Sequence, residues 1–379
     1  MRITFVSETF MPNTNGIVTR LCASIKWLIK QGHNVQVIAP EMGVKEFEGV
    51  PIEGIAAHKF WLYPDLPLAL PSRQVGRIIQ DFKPDLVHVV NPALLGVAGV
   101  YYSKHFRIPL VASFHTNIPK YVDYYRLPFL KSGLWWYFRT LHNQAKLNLC
   151  TSEPIKQELT QRRFRNVHVW QRGVDIDLFG PGCYSAAMRQ RLIGEHPQNT
   201  LLLYVGRLAA EKQIESLRSV LDTSPTHSLA IIGDGPHRGY LEEYYQGTNT
   251  VFTGFLYGQD LAAAYASSDI FVFPSTTETL GLVILEAMAS RIAVVAADSG
   301  PIREQIKDGF NGLLYNPLKP DSLIRKVSAL GSPELRRHLA QSAFAESRKY
   351  GWDGQSRQLY SFYQDTVAAD LEKTGDRNY

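Results

Sequence analysis

Short, uninterrupted apolar runs alternate with stretches of helical spacing along nearly the whole chain. In the first half the runs fall at residues 3–6, 35–39, 86–90, 110–114 and 147–150. After the first of them Ile17, Leu21, Ile25 and Leu28 recur at helical intervals, and Gly32 stands where a left-handed residue ends a helix. The second half repeats the theme with runs at 201–205, 230–232, 251–253, 270–273 and 293–296. Strands that are apolar throughout need cover on both faces, so the alternation predicts parallel sheets flanked by helices, here in two sets. Ligands of such sheets gather at the carboxyl ends of the strands. The stretch 86–102 comes nearest to a membrane span, but His88 and Asn91-Pro92 divide it into a strand and a short helix, and no transmembrane helix is predicted. Residues 171–182, rich in Gly and Pro, read as the linker between the sets; they account for Asp175-x-Asp177 without a metal. A last, weakly amphipathic helix is predicted from Gln358, Leu359, Phe362, Tyr363 and Val367.

Length supports the two-domain reading, because 379 residues exceed a typical single core. Cys22, Cys150 and Cys183 are an odd number without metal-ligand spacing, so neither a structural disulfide nor zinc is expected. The chain enters a strand at once, without the apolar stretch of an export signal. Net charge changes the picture more. Residues 1–175 carry 21 Lys and Arg against 12 Asp and Glu, a balance of +9, whereas residues 176–379 carry 19 against 23, a balance of −4. Within the basic half, residues 120–139 hold eight aromatics and four cations against one acid. Tyr124, Arg126, Lys131, Trp135, Trp136 and Arg139 therefore form a candidate anionic-membrane surface, with a helix packed on its own sheet as the alternative. No nucleic-acid motif accompanies them.

The most specific chemistry lies between the strand at 270–273 and the following helix. Glu278 precedes the helix start at Thr279, Leu280, Gly281 and Leu282, and Glu286 follows two turns in, with seven residues between the carboxylates. Backbone N–H groups at such a start attract phosphate, and carboxylates on either side can bind the hydroxyls of a sugar and a ribose. Taken alone, the two acids read as a solvated loop residue and an exposed helix residue. A second cluster joins them: the strand at 201–205 ends in Gly206-Arg207, with Lys212 five residues on, a fork and a compact charge suited to a diphosphate. In the first half, Asn15-Gly16 opens a helix, and His115 follows the strand at 110–114.

Gly206-Arg207-Leu208 with Glu211-Lys212, the Glu-x7-Glu of Glu278 and Glu286, Gly173-Val174-Asp175 and Gly233-Asp234-Gly235-Pro236 resemble the retaining glycosyltransferases of family four. More narrowly, the motifs at 8–12, 15–21, 113–117 and 277–281 are similar to the sulfoquinovosyltransferases that make a sulfolipid. The resemblance implies an α/β GT-B fold: two Rossmann-like doubly wound domains facing a cleft, at 1–172 and 173–352, with a helix at 353–379 crossing back to the first. It further implies a metal-independent enzyme without a cofactor, moving a sugar from a UDP-linked donor to diacylglycerol with retention, cytoplasmic and peripheral on a thylakoid or plasma membrane. His115, Arg207, Lys212 and Glu278 become the catalytic candidates. Gly16, Gly233, Thr279, Leu280, Gly281, Leu282 and Glu286 join Arg207, Lys212 and Glu278 around the donor. A sulfonated sugar would need a cation, for which Arg20 and Lys120 are candidates; a neutral hexose, transferred to a lipid, would need neither. The chain departs from the family at Ser290-Arg291, where a glycine is usual and an altered helix end is expected, and at 299–304.

Overall fold

The computed structural model describes residues 1–60, 63–120 and 128–375. The chain forms two compact units, Met1–Arg172 with Trp352–Tyr379, and Gly173–Gly351.

The first unit is built on an eight-stranded sheet. Its strands are β1 (Arg2–Ser7), β2 (Asn34–Pro40), β3 (Glu46–Phe47), β4 (Val50–Ile55), β7 (Leu86–Val90), β8 (Leu110–Phe114), β9 (Leu147–Cys150) and β10 (Val167–Val169), in the order β10-β9-β8-β7-β1-β2-β4-β3. All neighbours pair in parallel except β3 with β4. Every residue of β7 and β8 is buried, as strands covered on both faces require. Asn15 opens the first helix, Gly16–Lys30, by accepting the N–H groups of Ile17 and Val18 at 3.0 and 3.1 Å; past its end Gly32 takes a φ of +81°. A separate antiparallel ribbon, β5 (Ala57–Phe60) and β6 (Tyr63–Ala69), and the strands β3, β4 and β10 lie outside the apolar runs read from the sequence.

The last helix, Trp352–Gly375, belongs to this unit rather than to the one that precedes it in the chain. Its Leu359 and Tyr363 are fully buried in the same core as Phe5, Leu21, Val37 and Trp170. Trp27 donates its indole N–H to Asp353 at 2.7 Å, and Gln358 accepts the backbone N–H of Gln171 at 2.9 Å. Burying a leucine of this kind stabilises a fold by roughly 1.5–3 kcal/mol.

The second unit holds a wholly parallel six-stranded sheet, β13-β12-β11-β14-β15-β16, of β11 (Thr200–Val205), β12 (His227–Ile232), β13 (Thr250–Gly254), β14 (Ile270–Phe273), β15 (Ala293–Ala297) and β16 (Leu313–Tyr315). Two glycines hold its strand ends together. A Cβ on Gly233 (φ +133°) would stand 2.0 Å from the Gly206 carbonyl oxygen, and one on Gly235 would stand 2.4 Å from that of Leu208. The loops after β11 and β12 touch backbone to backbone, which suffices to explain these glycines. The helix Leu282–Ala289 stops on Ser290, and Arg291 takes the left-handed conformation, φ +60°. An L-residue there costs about 1 kcal/mol relative to glycine.

Among the described residues no helix is long and apolar enough to cross a membrane.

Candidate active site

In the second unit the charged residues singled out from the sequence are each paired: Lys212 with Glu278, Arg207 with Glu211 and Glu286 with Tyr265. Lys212 lies on a single 3-10 turn, Ala210–Lys212, after β11. Its Nζ is 2.8 Å from Glu278 Oε2, with both side chains largely buried. Glu278 turns its other oxygen onto the backbone, where Oε1 accepts the N–H groups of Thr279, Leu280 and Gly281 at 3.1, 3.2 and 3.1 Å. Burial opposes the charge on this carboxylate, but the Lys212 ammonium and the N–H groups of Gly281 and Leu280 outweigh it and hold the pKa down to about 2. Of the helix-start N–H groups expected to meet phosphate, that of Gly281 is thus taken by Glu278 itself, which corrects its reading as unpaired. Gly281 makes that turn possible: its φ is +63°, and a Cβ would meet Gln305 Nε2 at 2.6 Å.

Arg207 directs its guanidinium onto Glu211, whose side chain is fully buried. Glu211 stands directly before Lys212 in the same motif, and that place is its only sequence signal as the acid under the guanidinium. Glu286 is a half-buried helix residue rather than an exposed one, and it accepts the Tyr265 hydroxyl at 2.9 Å. Burial pushes its carboxyl up to about 7, against the smaller pull of Tyr265. Tyr265 was invisible as a site residue because it sits on a different helix, Gly258–Ala266. Two carboxyls of one motif are thereby separated: Glu278 is locked as an anion, and Glu286 is poised near neutrality.

In the first unit His115 follows β8 and is 4% exposed. Its backbone N–H and that of Thr116 both donate to Asn91 Oδ1 at 3.1 Å, and its Nε2 lies 2.9 Å from Ser113 Oγ. Burial, then the charge of Arg20, holds its pKa well below the usual histidine value, so the ring is neutral. Gly16 is the first residue of its helix, half-buried beside the Asn15 cap.

Arg20 is not available to a substrate. It is fully buried, its guanidinium stacks 3.5 Å above the Trp170 ring, and it donates to the carbonyls of Trp170 and Gln171. Spacing placed it one turn into a helix; only the fold shows that this turn faces inward onto a residue 150 positions away. Lys120 is exposed and paired with Glu158 at 2.8 Å. Of the membrane candidates, Tyr124 and Arg126 lie outside the described residues. Trp135 is corrected to a core residue: it is 6% exposed, stacked on Phe114 with ring centroids 6.1 Å apart and covered by the Arg162 guanidinium at 4.1 Å. Trp136, next in sequence, points the other way and is 61% exposed, as is Phe129 at 76%, and Lys131 and Arg139 are half-buried.

Comparison with known proteins places this geometry in a class. The fold is that of GT-B glycosyltransferases: a solved Anabaena protein, HepE in complex with UDP-glucose, superposes with a TM-score of 0.79 over 96% of this chain and 100% of that one, at 21% identity. Residues 14–178 match Glycosyltransferase Family 4, and residues 189–346 match Glycosyl transferases group 1. The Arabidopsis thaliana sulfoquinovosyl transferase SQD2 is 36% identical over 92% of this chain and 70% of its own length. A GDP-mannose-dependent alpha-mannosyltransferase of Corynebacterium glutamicum is 31% identical over 97% of this chain and 90% of its own. The protein is a glycosyltransferase. It belongs to glycosyltransferase family 4.

Proposed function

We propose that the protein transfers sulfoquinovose from UDP-sulfoquinovose to diacylglycerol with retention of the anomeric configuration, without a metal or other cofactor, at an anionic membrane surface. The observation that carries this reading is the 36% identity to the sulfoquinovosyl transferase, sustained over 92% of the chain. In this reading Arg207 and Lys212 neutralise the departing diphosphate. Glu278 is committed to Lys212 and three N–H groups, which suits it to orient the sugar rather than to attack it as a nucleophile. The acceptor hydroxyl then loses its proton to the leaving phosphate oxygen as the new bond forms on the same face of the sugar. Glu286 serves the ribose, and the neutral His115 ring hydrogen-bonds the sugar. Trp136 and Phe129, with Lys131 and Arg139, form the surface that meets lipid.

Mannosyl transfer from GDP-mannose is the second reading, favoured by the 31% identity to the mannosyltransferase. One experiment separates them. The purified protein is incubated with a panel of nucleotide sugars and diacylglycerol vesicles, and products are read by mass; the sulfolipid is expected, and a neutral hexolipid alone would refute the sulfosugar assignment.

A further inference from the structure

Three hydrogen bonds run without a break from the returning C-terminal helix to His115. Tyr363 Oη lies 2.6 Å from His88 Nδ1, His88 Nε2 lies 2.8 Å from Ser113 Oγ, and Ser113 Oγ lies 2.9 Å from His115 Nε2. Tyr363, His88, Ser113 and His115 are all buried. We propose that Tyr363 is a positioning residue for the transfer reaction, fixing through His88 and Ser113 which nitrogen of His115 carries the proton.

Among the described residues the Tyr363 hydroxyl has a single hydrogen-bond partner, His88 Nδ1, and the relay that satisfies it leaves the His115 Nδ1 proton to the donor sugar, where the reverse relay would leave the tyrosine proton unmet in the core. Accepting at Nδ1 places the proton of the neutral His88 ring on Nε2, from which it is donated to Ser113 Oγ. Ser113 has one hydrogen, and with His88 donating to its oxygen, that hydrogen is directed to His115 Nε2. His115 is therefore held with its proton on Nδ1. Both rings are neutral as the relay needs: burial, then the Arg20 charge, lowers the His88 pKa to about 3. A histidine at a strand end in the opposite tautomer would present a lone pair where this one presents a donor, and a sulfonate, which only accepts, distinguishes the two.

This rests on the reading of His115 as a residue that touches the donor sugar, but its main test does not depend on turnover. In protein labelled with nitrogen-15, the ring nitrogens of His88 and His115 are assigned by multiple-bond correlation spectra. The expected spectrum has His88 protonated at Nε2 and His115 at Nδ1; both become tautomeric mixtures in Tyr363→Phe, whereas in Ser113→Ala only His115 does. His115 protonated at Nε2 in the unsubstituted protein would overturn the proposal even if neither variant folds, and so would a His115 signal unmoved by Tyr363→Phe. In the transfer assay Tyr363→Phe is expected to lower kcat about tenfold, as removal of an orienting partner does, with donor KM unchanged. Absence of transfer by a protein showing the expected ring signals would count against the proposed function and leave the relay intact.

Discussion

Lys212 and Glu278, 66 positions apart in the chain, meet at 2.8 Å at the carboxyl end of the second unit's sheet, and the Lys212 ammonium is the main group holding Glu278 as an anion. Glu278 in turn gathers three successive backbone N–H groups at the start of the helix that carries Glu286. The pair makes the ammonium, the carboxylate and the helix start one object, so a change at any of them is felt at all three.

Replacing Lys212 with alanine leaves a largely buried carboxylate with its N–H partners but without its counterion. Turnover is expected to fall at least on the order of a hundredfold, equivalent to about 3 kcal/mol of lost charge stabilisation. Arg207→Ala is expected to do the same. Steady-state rates on variants whose circular dichroism matches that of the parent check this, and near-normal turnover in either would refute its role.

The acid side of the pH–stability curve carries the signature of the same pair. The folded-state pKa of Glu278 is depressed, from 4.5 to about 2. Its contribution is therefore present above pH 4.5 and lost as pH falls towards 2. Glu286 has the opposite sign: raised from 4.5 to about 7, it favours the folded state while protonated, and that advantage fades as pH rises from 4.5 to 7. Denaturant melts across pH 4.5 to 7 should show Glu286→Gln losing less stability over that window than the parent. A parallel pair of curves would mean that Glu286 is not held near neutrality.

Much of this architecture was legible in the sequence for a physical reason. Strands such as 86–90 and 270–273 are buried on both faces, so they stand out as unbroken apolar runs. β6, by contrast, contains Pro64, Asp65 and Pro67, residues that usually mark turns, and among the described residues it pairs only with β5 in the separate ribbon. Site chemistry was legible as a set of residues but not as a set of bonds. Nothing local tells that Glu278 bonds the N–H groups just after it, or that Arg20 lies over Trp170. Trp135 and Trp136 are identical in type and adjacent in sequence, and only the phase of their helix sends one into the core and the other to solvent.

Those two tryptophans offer a paired test. Trp135→Ala removes a ring packed on Phe114 and Phe164 and is expected to cost about 3–5 kcal/mol of stability. Trp136→Ala is expected to change stability by no more than about 0.5 kcal/mol. Sedimentation with phosphatidylglycerol vesicles should nevertheless show weaker binding for Trp136→Ala, and unchanged binding would remove Trp136 from the lipid surface.

Arg20 provides a negative control for sugar recognition. Substituting lysine deprives the carbonyls of Trp170 and Gln171 of a shared donor, at a cost of about 1–3 kcal/mol. The folded fraction of Arg20→Lys is expected to keep the parent's donor KM. A selective loss of affinity for sulfonated over neutral donors would instead return Arg20 to the binding site.

The returning helix Trp352–Gly375 bears on biosynthesis. Leu359 and Tyr363 complete a core whose other buried members lie in the first 170 residues, so the amino-terminal unit cannot close until the helix Trp352–Gly375 has been made. The unit encoded second has all its parts first. On the ribosome the order of maturation is therefore reversed relative to the order of emergence, and an expression fragment ending at the linker would carry an open apolar seam where that helix belongs.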